Sequence, residues 1–154
     1  MRRKRKRKMV FPRTMFECRV CGKCCVEDVR HGRRIVLTKT DALEISSTTG
    51  IGLSEFAEEN SSEAYPYAIR LVNGRCFFLE PDNKCSIYPV RPLVCRFYPF
   101  VMQKVRETYV FHADPFCPGL GEGAYLDEEY FEKLVEQAEK RLNRSTGLFE
   151  AHRS

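Results

Sequence analysis

Residues 18–25 read Cys18-Arg19-Val20-Cys21-Gly22-Lys23-Cys24-Cys25, a C-x-x-C-x-x-C-C run. Two residues between thiols let one tight loop present both sulfurs to a single metal, and zinc knuckles and iron–sulfur ligand loops share this spacing. Gly22 suits such a loop, because a chain that wraps a metal needs positions free of Cβ constraints. Four more cysteines follow at Cys76, Cys85, Cys95 and Cys117, giving 8 in 154 residues. A single one of these could be a small buried hydrophobe. Clustered C-x-x-C spacing makes that a poor account of the set.

Three clustered thiols completed by one distant cysteine could cap an iron–sulfur cluster. In the bacterial ferredoxin run the last cysteine is followed by proline, and here Cys117 is followed by Pro118. No second C-x-x-C-x-x-C exists, which excludes a symmetrical two-cluster ferredoxin. Cys24 and Cys25 are adjacent, and neighbouring side chains point in different directions. Either one of them is spare or they serve two neighbouring sites. Eight thiols divide evenly into two four-cysteine sites.

Cations lie close to these thiols. Arg19, Lys23, Arg75, Lys84, Arg91 and Arg96 are all within a few residues of a cysteine. Positive charge lowers thiol pKa and offsets the excess negative charge of a thiolate-ligated metal. Arg19 and Lys23 could equally face solvent. Arg91 and Arg96, in an apolar and proline-rich stretch, read as structural or as supports for the ligands. His31 and His112 have no metal spacing to a cysteine and read as surface or core residues, and His152 sits near the C-terminus.

The net charge of +5 is unevenly placed. Seven consecutive basic residues, Arg2, Arg3, Lys4, Arg5, Lys6, Arg7 and Lys8, lie at the start; subtracting these seven from +5 leaves −2 for the rest. Residues 1–15 therefore read as a basic, solvated, disordered tail, since a block of like charge repels itself and buries nothing. Such an arm can attract nucleic acid or an acidic surface through residues 2–8. Met9 and Met15 offer alternative starts. The body, near neutral, carries no nucleic-acid signature. Hydrophobic residues make up 43% and charged residues 31%, with 11 Phe and 7 Tyr, a globular balance with ample core material. No apolar run approaches the roughly 18 residues of a membrane span. Met9-Val10-Phe11-Pro12-Arg13 is too short and broken for the hydrophobic part of a signal peptide. The expected location is cytoplasmic, where eight thiols indicate metal binding or catalysis rather than four disulfides.

The expected fold is a small α+β domain over residues 16–146, with short hairpins and helices organised around cysteine-ligated metal sites, and a frayed end at 147–154. Residues 34–38 predict a strand. Thr38 and Asp41 predict a capping box for a helix with Ala42, Leu43 and Ile45 that ends near Thr49-Gly50. A second short helix is expected from Ser54. Asn73-Gly74, between 68–72 and 75–79, is a type I′ hairpin signal. Residues 81–84 form a turn before Cys85, and a helical turn fits 93–96. Residues 100–105 and 108–111 suggest another hairpin. Gly119-Leu120-Gly121-Glu122-Gly123 reads as a turn that lets the chain pass close to the metal, without the preceding strand of a nucleotide-binding fingerprint. Leu126, Asp127 and Phe131 form a hydrophobic staple opening an amphipathic helix with Tyr130, Leu134, Val135, Ala138 and Leu142 on one face and Glu, Lys and Arg on the other. No Ser/His/Asp set is identifiable, and no catalytic residue is assigned.

These residues resemble a known group. Cys18-x-x-Cys21-Gly22-Lys23-Cys24-Cys25 is similar to the opening motif of the CxxCxxCC cysteine-cluster family of zinc- or iron-chelating domains. Cys85-Ser86-Ile87-Tyr88-Pro89-Val90-Arg91-Pro92-Leu93-Val94-Cys95-Arg96-Phe97-Tyr98-Pro99 resembles its second block, and Cys117-Pro118-Gly119-Leu120-Gly121-Glu122-Gly123 its third. The strand and helix from Ile35 to Ile45, with Asp41, match in order. The resemblance implies metal chelation by these cysteines, as an iron–sulfur cluster. A 4Fe–4S cluster with a structural or electron-transfer role is the leading expectation for this chain, with zinc as the alternative metal. The family also resembles the cysteine-rich part of flagellin lysine N-methylases, which use S-adenosylmethionine; this chain lacks a separate region for that cofactor. Three functions follow as expectations: an iron–sulfur protein with a redox or other protein partner, a zinc-stabilised module whose tail binds nucleic acid, and a methylase or a component of one. If the first cysteine run holds metal, Cys21→Ser lowers both metal content and melting temperature, because metal binding is part of the folding free energy of such domains. Unchanged values in both measurements would remove Cys21 from the ligand set.

Overall fold

The structure, a computed structural model, describes residues 7–18, 34–115 and 117–142. In chain order its elements are β1 (Lys8–Val10), β2 (Met15–Phe16), β3 (Val36–Leu37), α1 (Lys39–Thr49), α2 (Leu53–Phe56), β4 (Ala57–Glu59), β5 (Tyr67–Ile69), β6 (Leu71–Val72), β7 (Arg75–Cys76), α3 (Leu93–Phe97), β8 (Phe100–Val105), β9 (Thr108–Ala113), β10 (Leu120–Tyr125) and α4 (Glu128–Arg141). A 3₁₀ turn at Tyr88–Val90 precedes α3. The result is the mixed α+β class expected. None of the described helices is long and apolar enough to cross a membrane.

Local signals explain most boundaries. Thr38 accepts the Asp41 N–H at 3.0 Å while Asp41 accepts the Thr38 N–H at 2.9 Å, the reciprocal pair of a capping box. The helix it opens, α1, stops at Gly50, whose φ of +74° suits a residue without Cβ. Its Ala42 and Ile45 are buried, whereas Leu43 is exposed. Asp127 caps α4 by accepting the Tyr130 N–H at 3.0 Å. Asn73 and Gly74 take φ of +53° and +74°, as a type I′ turn requires, and join β6 to β7. Residues β8 and β9 pair from Phe100↔Ala113 to Val105↔Thr108.

The core gathers around Phe131. Its ring stacks on Phe11 at 4.6 Å between centroids and meets Phe111 at 4.8 Å and Phe100 at 5.1 Å edge-on. Phe56, Leu37, Ile45, Leu93, Phe97, Met102 and Val135 are also fully buried. Burial of each such side chain is worth about 1.5–3 kcal/mol against exposure, and offset or edge-on ring pairs add to it. Among the described residues, four small sheets frame this core, in the orders β1-β9-β8, β10-β2, β3-β5-β4 and β6-β7.

Three expectations are corrected. The basic tail does not extend to residue 15. Lys8–Val10 pair in parallel with Thr108–Val110 of β9, Arg7 forms ion pairs with Glu132 and Glu139 of α4, and the Thr14 carbonyl accepts the Leu126 N–H at 3.0 Å. The acidic face of α4 neutralises Arg7, so the charge block ends inside the fold; residues 1–6 lie outside the described residues. The expected strand 68–72 is split at Arg70. The Arg70 N–H goes to the Phe56 carbonyl at 2.8 Å, so β5 joins β3 and β4, and only Leu71–Val72 remain with the hairpin. The glycine-rich segment is a strand, β10, paired with β2. Residues 143–154, with the expected frayed end and His152, lie outside the described residues.

Phe11→Ala measures the first correction. Loss of its stack on Phe131 should cost about 2 kcal/mol, below the roughly 3–5 kcal/mol of a fully buried aromatic, because Phe11 is only half-buried. An unchanged melting temperature would show that residues 7–11 do not pack.

Candidate metal centre

The described cysteines sit on four different local frames. Cys76 ends β7 and is buried, facing Leu71 across the ladder. Its carbonyl accepts the Leu79 N–H at 2.9 Å, and Leu79 in turn bridges to Cys85. The turn between them is closed by the Glu80 N–H on the Lys84 carbonyl at 2.8 Å, with Asn83 at φ +67°. Cys76 and Cys85 thus stand at the two ends of one small loop. Arg75 locks that loop by donating to the Glu80 carbonyl at 3.3 Å and to Asn83 Oδ1 at 3.2 Å. Cys95 lies in the middle of α3 and is half-buried. Cys117 is buried, with its N–H on the Asp114 carbonyl at 3.2 Å. Cys18 follows β2 and is exposed.

Two backbone hydrogen bonds stitch the three cysteine blocks together. The Glu17 N–H donates to the Gly119 carbonyl at 3.1 Å, which sets Cys18 beside the Cys117 segment. The Asp114 N–H donates to the Pro99 carbonyl at 2.7 Å, which ties the turn that carries Cys117 to the end of the block that carries Cys95. Cys21, Cys24 and Cys25, together with Arg19, Gly22, Lys23 and His31, lie outside the described residues. Among the described residues no three His, Cys, Asp or Glu side chains gather into a metal-binding group. His112 is exposed on β9.

The glycines of the third block have a defined task. A Cβ on Gly119 would lie 2.2 Å from the Glu17 carbonyl oxygen and 3.1 Å from the Phe16 ring. Gly123 has φ +80°, and a Cβ there would lie 2.9 Å from the Glu17 Cβ. The backbone of the segment leading into the first cysteine run therefore passes where side chains would be. The sequence predicts a turn here that brings the chain close to a metal; what these glycines admit is the backbone of Phe16 and Glu17.

A buried ionic group supports the second block. The Asp41 carboxylate, fully buried, accepts the Leu93 N–H of α3 at 3.2 Å and the Arg141 Nη1 of α4 at 2.8 Å. Burial pushes the Asp41 carboxyl above its ordinary range, against the opposing pull of the Thr38 N–H, Arg141 and the Leu93 N–H. Arg141 Nη2 also meets Glu44 at 3.0 Å, and Arg96 pairs with Glu44 at 3.6 Å. Burial, with the neighbouring Arg141, lowers the Arg96 guanidinium from its ordinary value. Arg96 also donates to the Arg91 carbonyl at 2.8 Å and to Gln137 Oε1 at 3.2 Å, and Arg91 lies 3.8 Å over the Tyr88 ring. The structural role expected of Arg91 and Arg96 is what these bonds describe. Arg141 and Glu44 are missed by sequence reasoning, which places Arg and Glu on outer faces. A signal existed for Arg141, which lies seven residues after Leu134 and three after Ala138, on the buried stripe of α4.

A model for the CxxCxxCC family, described as "Putative zinc- or iron-chelating domain", matches residues 17–118. The chain belongs to the CxxCxxCC family. Metal chelation is therefore the general function that its cysteines point to. An uncharacterized protein of Methanocaldococcus jannaschii is 32% identical over 144 residues, which cover 88% of this chain and 74% of that one. No solved structure matches. The CxxCxxCC match begins one residue before Cys18 and ends one residue after Cys117, so it takes in all eight cysteines and stops short of β10 and α4.

Gly119→Ala tests the stitch between the first and third blocks. A methyl group at 2.2 Å from a backbone oxygen cannot be relieved by rotating a side chain, so the expected loss is at least about 2 kcal/mol, with metal content reduced alongside. A variant with wild-type melting temperature and metal content would show that β2 and β10 do not meet as described.

Proposed function

We propose that this protein holds a 4Fe–4S cluster through cysteine thiolates and serves as a structural or electron-transfer module. The observation that carries this reading is the C-x-x-C-x-x-C run of Cys18, Cys21 and Cys24 together with a distant Cys117-Pro118, the ligand pattern of single clusters in ferredoxin-like chains. The Glu17–Gly119 hydrogen bond supports it, since it draws the start of that run towards Cys117. The described residues fit a thiolate-ligated group. Cys117 and Cys76 are shielded from solvent, and Arg75, Arg91 and Arg96 stand close in sequence to Cys76 and Cys95 on well-anchored side chains. In this reading Cys21 and Cys24 join Cys18 and Cys117 as ligands, on the spacing of the run, with Cys25, Cys76, Cys85 and Cys95 completing the centre or supporting a second site. Once bound, such a cluster supplies one-electron transfer or a rigid crosslink between chain segments.

Zinc is the rival occupant of the same thiols. Nucleic-acid binding by the tail loses one of its seven cations, because Arg7 is engaged by Glu132 and Glu139. The methylase reading requires S-adenosylmethionine to raise the melting temperature.

Metal analysis with a visible spectrum, on protein purified without oxygen, decides among these. Iron and inorganic sulfide in equal amounts, with a visible band that bleaches on reduction, is the expected result. Zinc without a visible band would overturn the cluster and leave thiolate chelation. Absence of both metals would overturn chelation itself.

A further inference from the structure

The strongest unexplained feature is the ionic group buried between α1, α3 and α4. A buried ion pair is costly to form, and apolar side chains of similar size often hold such positions equally well. Its geometry gives a specific reason for its presence. The helix α3 has only five residues and is too short to be stable alone. Its N-cap position is Pro92, which supplies no side-chain cap. The missing cap comes from Asp41, 52 residues earlier, whose two carboxylate oxygens both accept the Leu93 N–H at 3.2 Å. On the other side of Cys95, Arg96 pairs with Glu44. Asp41 and Glu44 project from the same face of α1, three residues apart. Arg141 spans the two, with Nη1 on Asp41 at 2.8 Å and Nη2 on Glu44 at 3.0 Å. Cys95 is therefore bracketed. The residue two before it and the residue just after it are held by two carboxylates that one guanidinium clamps together.

We infer that Asp41 is a positioning residue for the metal centre, capping α3 from across the fold so that Cys95 is presented as a ligand, and that Arg141 locks it in place. This rests on the proposed function, in which Cys95 contributes a thiolate. It assigns to α1 and α4, which carry no cysteine, the task of orienting one.

The test is a double-mutant cycle on the full chain with cobalt(II) alone as probe, since sulfur-to-cobalt charge transfer reports thiolate ligation. Asp41→Asn keeps the size and one acceptor but loses the second acceptor and the charge. It should weaken cobalt binding about tenfold, the lower range for loss of a ligand-orienting partner, and reduce the charge-transfer band as Cys95→Ser does. With Asp41→Asn and Cys95→Ser combined, the loss should equal that of Cys95→Ser alone, because a residue that acts through Cys95 has nothing left to orient. If the losses multiply, Asp41 acts only through general stability and the inference fails. Unchanged cobalt binding in Asp41→Asn also overturns it. Unchanged binding in Cys95→Ser overturns instead the ligand role on which it rests. Should Asp41→Asn fail to fold, Arg141→Lys enters the same cycle. It keeps a cation that cannot bridge two carboxylates in the planar fork of arginine, and the same outcomes decide.

Discussion

The Asp41 carboxylate is where three helices become one structure. It closes the capping box of α1 through Thr38, caps α3 through Leu93 and pairs with Arg141 near the end of α4. Each of these partners satisfies part of a charge that would otherwise be costly to bury. Removal of any one leaves the others facing an incompletely paired group, which makes the arrangement cooperative. The elements it joins are short or distant in sequence, so their mutual placement depends on this group as much as on apolar packing.

Around that centre, the aromatic core and the cysteines divide the molecule's work. Phe131 and its neighbours Phe11, Phe100 and Phe111 bind α4 to the N-terminal segment and to the β8-β9 hairpin. Cys76 belongs to the main core, and Cys85 and Cys95 pack against it; Cys117, though buried, is not part of it. The cysteine blocks are joined by main-chain hydrogen bonds at Glu17–Gly119 and Asp114–Pro99. Among the described cysteines only Cys76 is a member of that core, and main-chain hydrogen bonds join the segments that carry Cys18, Cys95 and Cys117. The family match fits this division. It runs from residue 17 to residue 118, just enclosing Cys18 and Cys117, while α4, which completes the core and supplies Arg141, lies beyond it.

Much of the local structure was legible in the chain. Thr38 with Asp41, Asn73-Gly74 and the Asp127 cap of α4 each act over a few residues, and each appears as read. The misread segments have partners that lie far away. Arg7 is a member of a charge block until Glu132 and Glu139 neutralise it, 125 and 132 residues later. Gly119 to Gly123 resemble a turn until β2 lies against them, where the absence of Cβ atoms admits a neighbouring backbone. Arg70 looks like the interior of a strand, yet its N–H is taken by Phe56.

By itself the sequence determined the family and its general metal-chelating character, the α+β class, the helix starts and the hairpin turns, because spacing, capping and turn preferences are properties of neighbouring residues. Only the tertiary structure decided where the N-terminal segment goes, which chain the glycines admit, and that Asp41 serves α3 and Arg141 as well as its own helix. Those choices rest on hydrogen bonds and ion pairs between residues up to 132 positions apart, whose geometry exists only once the core has closed around Phe131.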